Sequence, residues 1–86
     1  MRYKIAMIGG GSPGFSYFIA EALVNSEIFS DALFMLMDID KKRLNASVQR
    51  IKNLVKEKKS GLQVVSTTNR KIALEGADFV ITSCEI

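Results

Sequence analysis

A glycine-rich turn close to the N-terminus carries the clearest chemical signal in this sequence. Residues 9–14 read GGGSPG and place the pattern G-x-G-x-x-G on Gly9, Gly11 and Gly14. Where such a turn follows a strand and opens a helix, the backbone can approach a pyrophosphate, and free N–H groups at the helix N-terminus bind the anion. A glycine turn without a ligand is the alternative, so the surrounding elements decide between the two interpretations.

Each glycine of the pattern has its own expected task. We expect Gly9 to permit the tight turn, Gly11 to let backbone N–H groups approach the pyrophosphate, and Gly14 to let the helix pack closely on the strand. The candidate cofactor contacts in this segment are Gly9, Gly10, Gly11, Ser12, Pro13, Gly14 and Phe15.

A carboxylate follows the glycine turn at a suitable distance. Asp38 comes 24 residues after Gly14, close to the interval of about 20 that is typical of dinucleotide-binding units. Its oxygens can accept hydrogen bonds from the adenosine ribose, and a 2′-phosphate there would meet a like charge. This favours NAD over NADP, although Lys41 and Arg43 lie nearby and leave NADP open. Helix capping is the other explanation for an aspartate here, and we assign that role to Asp40.

The predicted elements alternate in a way that supports this interpretation. Apolar runs predict strands at residues 3–8, 32–37, 62–66 and 79–83. Helical spacing of apolar residues predicts helices at residues 15–25, 40–59 and 69–74, with Gly61 closing the second. The order β-α-β-α-β-α-β is typical of a Rossmann-type α/β fold, a doubly wound parallel sheet whose first four strands lie in the order 3-2-1-4.

The end of the predicted sheet suggests further contacts and a longer chain. Ligands of open α/β sheets bind at the carboxyl ends of the strands, so Thr82 and Ser83 are candidate cofactor contacts, unless they are ordinary strand-end residues. A complete dinucleotide domain would continue past Ile86 and cover the edge of the fourth strand. We therefore expect residues 1–86 to be the N-terminal part of one NAD-binding domain in a longer protein, with pairing to a second copy as the alternative.

Composition and charge argue against several other classes of protein. With 48% hydrophobic residues, 24% charged residues and one proline, the chain is typical of globular domains. The net charge of +3 arises largely from residues 41–59, where a solvated helix face is a better explanation than nucleic-acid binding. No segment reaches the roughly 18 apolar residues of a membrane span. Cys84 is the single cysteine and histidine is absent, so no disulfide, metal cluster or nucleophile is expected, and a cytoplasmic location fits.

Three segments together resemble the N-terminus of glycoside hydrolase family 4. They are residues 4–12 (KIAMIGGGS), residues 36–40 (LMDID) with the following Arg43-Leu44, and residues 73–81 (ALEGADFVI). The likeness covers essentially the whole chain and is closer to the α-galactosidase and α-glucosidase branch than to the phospho-glycosidases. Each segment alone also occurs in malate and lactate dehydrogenases, which share the fold. Asn69, where relatives often have aspartate, departs from the pattern without affecting the cofactor argument.

The resemblance implies a hydrolase of an unusual kind. In this family NAD takes a hydride from C3 of the sugar, the C2 proton becomes acidic, the glycosidic bond is lost by elimination, and water adds before the hydride returns. A divalent metal, usually manganese, polarises the sugar oxygens. The metal-binding cysteine and histidine and the tyrosine base lie downstream in the family, and Cys84 does not match them, so Mn²⁺ would be bound outside this chain. The matches to the family's NAD contacts are Gly9, Gly11, Ser12, Gly14 and Asp38.

The expected function is therefore the NAD-binding portion of an α-glucosidase- or α-galactosidase-like enzyme that acts on a small-molecule glycoside. We expect the parent protein to form a homo-oligomer and the 86 residues alone to be inactive. Two other functions stay open at this point. A malate- or lactate-type 2-hydroxy-acid dehydrogenase would need a catalytic histidine and substrate arginines after Ile86, and a non-catalytic NAD-sensing module would need the chain to be complete.

Overall fold

Strands and helices alternate along the chain as predicted. The computed structural model describes residues 2–83. Its strands are β1 (Lys4–Ile8), β2 (Leu33–Met37), β3 (Gln63–Thr67) and β4 (Phe79–Thr82). Its helices are α1 (Pro13–Val24), α2 (Lys41–Glu57) and α3 (Arg70–Leu74).

The strands form a parallel sheet in the order β3-β2-β1-β4, which confirms the predicted topology. In this register Ile8 at the end of β1 pairs with Met37 on one side and with Thr82 on the other. Met37 in turn pairs with Thr67 at the end of β3. The carboxyl ends of all four strands therefore reach one edge of the sheet, where ligands of such folds bind.

Two helices bury one face of the sheet. The core cluster draws on β1, β2, α1 and α2, and its fully buried side chains include Met7, Phe34, Leu36 and Ile51. The remaining helix, α3, contacts β1, β2 and β3 and contributes no residue to that cluster. Within residues 2–83, none of the helices combines the length and apolar character that crossing a membrane requires.

Helix α2 begins as its sequence predicts and ends differently. The Asp40 carboxylate accepts hydrogen bonds from the N–H groups of Lys42 and Arg43, both at 3.1 Å, so the predicted capping role of Asp40 is confirmed. The prediction that Gly61 closes the helix is wrong. The residue that leaves the helix with a left-handed backbone is Lys59, with φ of 51°, and Gly61 has no positive φ.

Helix α1 begins two residues earlier than its apolar spacing suggests. The spacing predicts a start at Phe15, whereas Pro13 is the first helical residue and Ser12 takes the N-cap position. Proline is favoured at the first helical position because its φ is already helical and its missing N–H would have no partner within the helix. The other boundaries agree with the prediction or differ from it by at most two residues, as helix and strand ends commonly do.

Two buried serines in these helices differ in one hydrogen bond, and this difference predicts opposite effects on stability. The Ser16 hydroxyl donates to the Ser12 carbonyl oxygen at 2.7 Å, whereas the buried Ser47 Oγ has no hydrogen-bond partner among residues 2–83. We expect Ser47→Ala to leave the free energy of unfolding unchanged or to raise it, because the orphaned hydroxyl disappears. Ser16→Ala should lower it by about 1 kcal/mol, the usual contribution of one hydrogen bond. Urea unfolding of both variants measures the contrast, and a clear loss of stability in Ser47→Ala would contradict it.

Candidate dinucleotide-binding site

The glycine turn is attached to the end of β2 by its own backbone. The N–H groups of Gly9 and Gly10 both donate to the Met37 carbonyl oxygen at 2.8 Å. Gly9 has φ of 90°, a conformation that side chains disfavour, so the predicted tight-turn role of Gly9 is confirmed. A Cβ on Gly9 would also lie 3.1 Å from the Ser83 carbonyl oxygen.

The glycine that allows the turn to pack closely on a strand is not one of the three that the pattern marks. A Cβ on Gly10 would lie 2.8 Å from both Cβ and Cδ2 of Leu36, so Gly10 lets the turn sit directly on β2. Apart from its chain neighbours and the adjoining helix backbone, no atom of the described residues lies within 4 Å of the position that a Cβ on Gly14 would occupy. The prediction that Gly14 is needed for packing of the helix on the strand is therefore wrong, and Gly10 has the comparable task.

The Asp38 carboxylate is part of the turn itself. Its Oδ2 accepts a hydrogen bond from the Gly11 N–H at 2.9 Å, and its Oδ1 accepts one from the Asp40 N–H, also at 2.9 Å. The Gly11 N–H is thus directed at Asp38, and the expectation that Gly11 lets backbone N–H groups approach a pyrophosphate stays a prediction. Each carboxylate oxygen has more than one acceptor site, so Asp38 can still accept hydrogen bonds from a ribose.

The groups that remain free to bind an anion lie at the N-terminus of α1. The Ser12 N–H donates to the Gly9 carbonyl oxygen at 3.1 Å, and Pro13 has no N–H. The next N–H groups, on Gly14 and Phe15, have no acceptor in the described part of the chain, as expected in the first turn of a helix. The Ser12 hydroxyl does not cap the helix either. These donors form the positive end of the helix dipole, which favours binding of a phosphate group.

A small open pocket adjoins the turn at the carboxyl edge of the sheet. Its volume is about 160 Å³, and it is lined by Ile8, Gly9, Met37, Asp38, Ile39 and Arg70. The Ile39 side chain is 86% exposed although it is large and apolar. Sequence reasoning missed Ile39 and Arg70. The available signal was their position, since Ile39 directly follows Asp38 and Arg70 begins the helix after β3.

The fourth strand brings its predicted site residues to the same edge. Thr82 pairs with Ile8, and the Ser83 N–H donates to the Ile8 carbonyl oxygen at 2.9 Å. Ser83 thereby lies against Gly9, as the predicted placement requires. Cys84 lies outside the described residues. Residues 2–83 contain no group of three or more histidine, cysteine, aspartate and glutamate side chains that could hold a metal ion.

The sheet order, the glycine turn and the carboxylate after β2 define a Rossmann-type dinucleotide-binding fold. Residues 4–86 match the family model described as Family 4 glycosyl hydrolase. The chain belongs to this family, as the resemblance of its three segments predicts.

Two relatives with similar sequences are glycosidases, and the chain covers only part of each. It is 35% identical to an alpha-glucosidase of Erwinia rhapontici, over 100% of this chain and 19% of the relative. It is 30% identical to an alpha-galactosidase of Rhizobium meliloti, over 98% of this chain and 17% of the relative. The chain therefore spans about a fifth of the length of these relatives.

Solved structures give the same result for the fold. A 6-phospho-alpha-glucosidase from gut microorganisms, in complex with NAD and Mn²⁺, superposes with a TM-score of 0.83 at 25% identity over 98% of this chain and 19% of its own. A 6-phospho-beta-glucosidase from Thermotoga maritima, with NAD and glucose-6-phosphate, superposes with a TM-score of 0.80 at 25% identity over 98% of this chain and 20% of its own.

Proposed function

We propose that residues 1–86 are the NAD-binding portion of a longer α-glucosidase- or α-galactosidase-like glycosidase. One observation in this member of glycosyl hydrolase family 4 carries the proposal. The first turn of α1 has N–H donors that are free within residues 2–83, and beside them the glycine turn is hydrogen-bonded to Asp38, the carboxylate after β2. This arrangement fits a dinucleotide, because it offers donors to an anion and acceptors to a sugar within one short stretch of backbone.

The structure supports a division of tasks among the candidate contacts. The pyrophosphate would accept hydrogen bonds from the Ser12 hydroxyl and from the N–H groups of Gly14 and Phe15. Pro13 starts the helix that orients these N–H groups. Asp38 would accept hydrogen bonds from the ribose hydroxyls.

The other predicted contacts shape the site. Gly9, Gly10 and Gly11 hold the turn in a conformation whose N–H groups are already bonded within the protein. Thr82 and Ser83 border the turn on the β4 side. A negatively charged Asp38 beside the ribose favours NAD over NADP.

In the proposed enzyme, bound NAD supplies a transient oxidation of the sugar, which makes a neighbouring proton acidic and allows the glycosidic bond to break. The residues of this chain bind and orient the cofactor, while the catalytic base and the Mn²⁺ ligands lie elsewhere in the protein. The substrate would be an α-glucoside or α-galactoside without a phosphate. A cytoplasmic location and a homo-oligomeric assembly stay predictions.

An activity assay on the full-length protein tests the proposed function. Aryl α-glucosides, aryl α-galactosides and their 6-phosphorylated forms would be offered with NAD and Mn²⁺ each present or absent, under reducing conditions. We expect hydrolysis of the unphosphorylated substrates that requires both additives. Hydrolysis of the phosphorylated forms alone would overturn the substrate class, and NAD reduction by malate or lactate without hydrolysis would overturn the enzyme class.

A further inference from the structure

The start of α1 is held by a hydrogen bond that comes from inside the helix. Ser12 takes the N-cap position, where a serine commonly uses its own side chain to accept an N–H of the first turn. The Ser12 hydroxyl makes no such bond. Instead, the Ser12 carbonyl oxygen accepts two hydrogen bonds from Ser16, one from its N–H at 3.0 Å and one from its hydroxyl at 2.7 Å.

The burial of Ser16 indicates that its hydroxyl has a task besides packing. Burying a hydroxyl is costly unless the group is hydrogen-bonded, and alanine would favour the helix more than serine does. Ser47 in α2 offers a comparison, because both serines are almost entirely buried. The Ser47 hydroxyl has no hydrogen-bond partner among residues 2–83. The two serines therefore share a buried helical setting, and only Ser16 is bonded to the first turn of α1.

The Ser16 hydroxyl acts on the part of the chain that carries the anion donors. The Ser12 carbonyl belongs to the peptide that joins Ser12 to Pro13, and this peptide has no N–H. The carbonyl oxygen is thus its only hydrogen-bonding group. The N–H groups of Gly14 and Phe15 follow directly in the chain, so their direction depends on the orientation of this peptide. Because Ser16 holds the peptide, the Ser12 hydroxyl stays available to a ligand.

We propose that Ser16 is a positioning residue for the pyrophosphate of the cofactor. Its buried hydroxyl holds the Ser12 carbonyl and thereby orients the Ser12 hydroxyl and the N–H groups of the first turn before the ligand binds. This inference rests on the proposed NAD-binding function, and Ser16 itself does not contact the cofactor. Pre-organised groups lose less freedom on binding, so the Ser16 hydroxyl increases affinity only for ligands that carry the pyrophosphate.

Calorimetric titration of the full-length protein tests the role of Ser16. The probes are ADP, which carries a pyrophosphate, and adenosine, which does not. The variants are Ser16→Ala and, as a matched control, Ser47→Ala. We expect Ser16→Ala to weaken ADP binding about fivefold, the ratio that corresponds to one ordinary hydrogen bond, and to leave adenosine binding unchanged. Ser47→Ala should change neither affinity.

The ratio of the two dissociation constants separates positioning from general stability. Well below the melting temperature of each variant, a loss of global stability alone does not move this ratio. A Ser16→Ala protein with an unchanged ratio, whether both affinities are kept or both fall, would overturn the positioning role. The same selective loss in Ser47→Ala would also overturn it, since the effect would then belong to helix packing. Failure of the unaltered protein to bind ADP more tightly than adenosine would instead contradict the proposed NAD-binding function itself.

Discussion

Replacing Gly11 by alanine should both destabilise the protein and remove most of its affinity for NAD. A Cβ at this position would lie 2.5 Å from Asp38 Oδ2 and 2.9 Å from Asp38 Cγ, with Arg43 Cβ at 3.1 Å on another side. Asp38 would have to turn away, which breaks its hydrogen bond with the Gly11 N–H. We expect a loss of about 1–3 kcal/mol in the free energy of unfolding, the usual cost of an overpacked site.

Binding and unfolding measurements on the full-length protein check this expectation together. NAD affinity, followed by calorimetry, should fall at least about tenfold, because a hydrogen bond from the ribose to the displaced carboxylate contributes about 1.4 kcal/mol or more. Gly14→Ala is the matched control, since its added methyl group would lie more than 4 Å from every described residue outside its own turn of helix. It should be as stable as the original protein or more stable by up to about 1 kcal/mol, because alanine is the better helix former. A Gly11→Ala protein with unchanged melting temperature would contradict the crowding argument.

The strand order and the position of the glycine turn at the carboxyl edge of the sheet could be predicted because each depends on local pattern. The run at residues 32–37 has no polar alternation, which indicates a strand covered on both faces. Once the elements alternate, the handedness of the crossovers leaves few possible topologies. Asp40 could be recognised as a cap because its hydrogen bonds reach only two and three residues along the chain.

The tasks of the individual glycines could not be predicted from their spacing. The motif marks Gly9, Gly11 and Gly14, yet the tightest contact with a strand side chain is at Gly10, against Leu36. A glycine is required where an atom of a distant strand leaves no room for a Cβ. The distance between the turn and β2 decides which positions those are, and the sequence does not give that distance. The direction of each N–H depends on the same tertiary contact.

The pocket was missed for a related reason. Its lining comes from the ends of β1 and β2 and from the start of α3, which are separated by about 30 residues each along the chain. Arg70 in the sequence is one basic residue among 12, and only the register of the sheet brings it beside Asp38. Likewise, Gly61 is the residue that a sequence pattern offers as a helix terminator, but the helix ends earlier and Lys59 takes the left-handed conformation.

Asp38→Asn is expected to have the second large effect on stability and on cofactor affinity. The substitution removes the charge of this side chain and nearly preserves its shape. The amide has one oxygen acceptor where the carboxylate has two. It can satisfy the N–H of Gly11 or that of Asp40, and its own NH₂ group then faces the other donor. Leaving a donor without its acceptor costs about 1–3 kcal/mol, so we expect the melting temperature to fall even without cofactor.

The same substitution should change cofactor preference. NAD affinity should fall by about 10- to 100-fold, since hydrogen bonds to a charged acceptor contribute about 1.5–3 kcal/mol. NADP should lose much less, because its 2′-phosphate no longer meets a negative charge, and the ratio of the two dissociation constants measures this shift. Asp40→Asn is the matched control two residues away. Asparagine caps a helix as well as aspartate does, so this variant should keep both its stability and its preference for NAD. If Asp38→Asn binds NAD as tightly as the original protein, the Asp38 carboxylate has no part in holding the ribose.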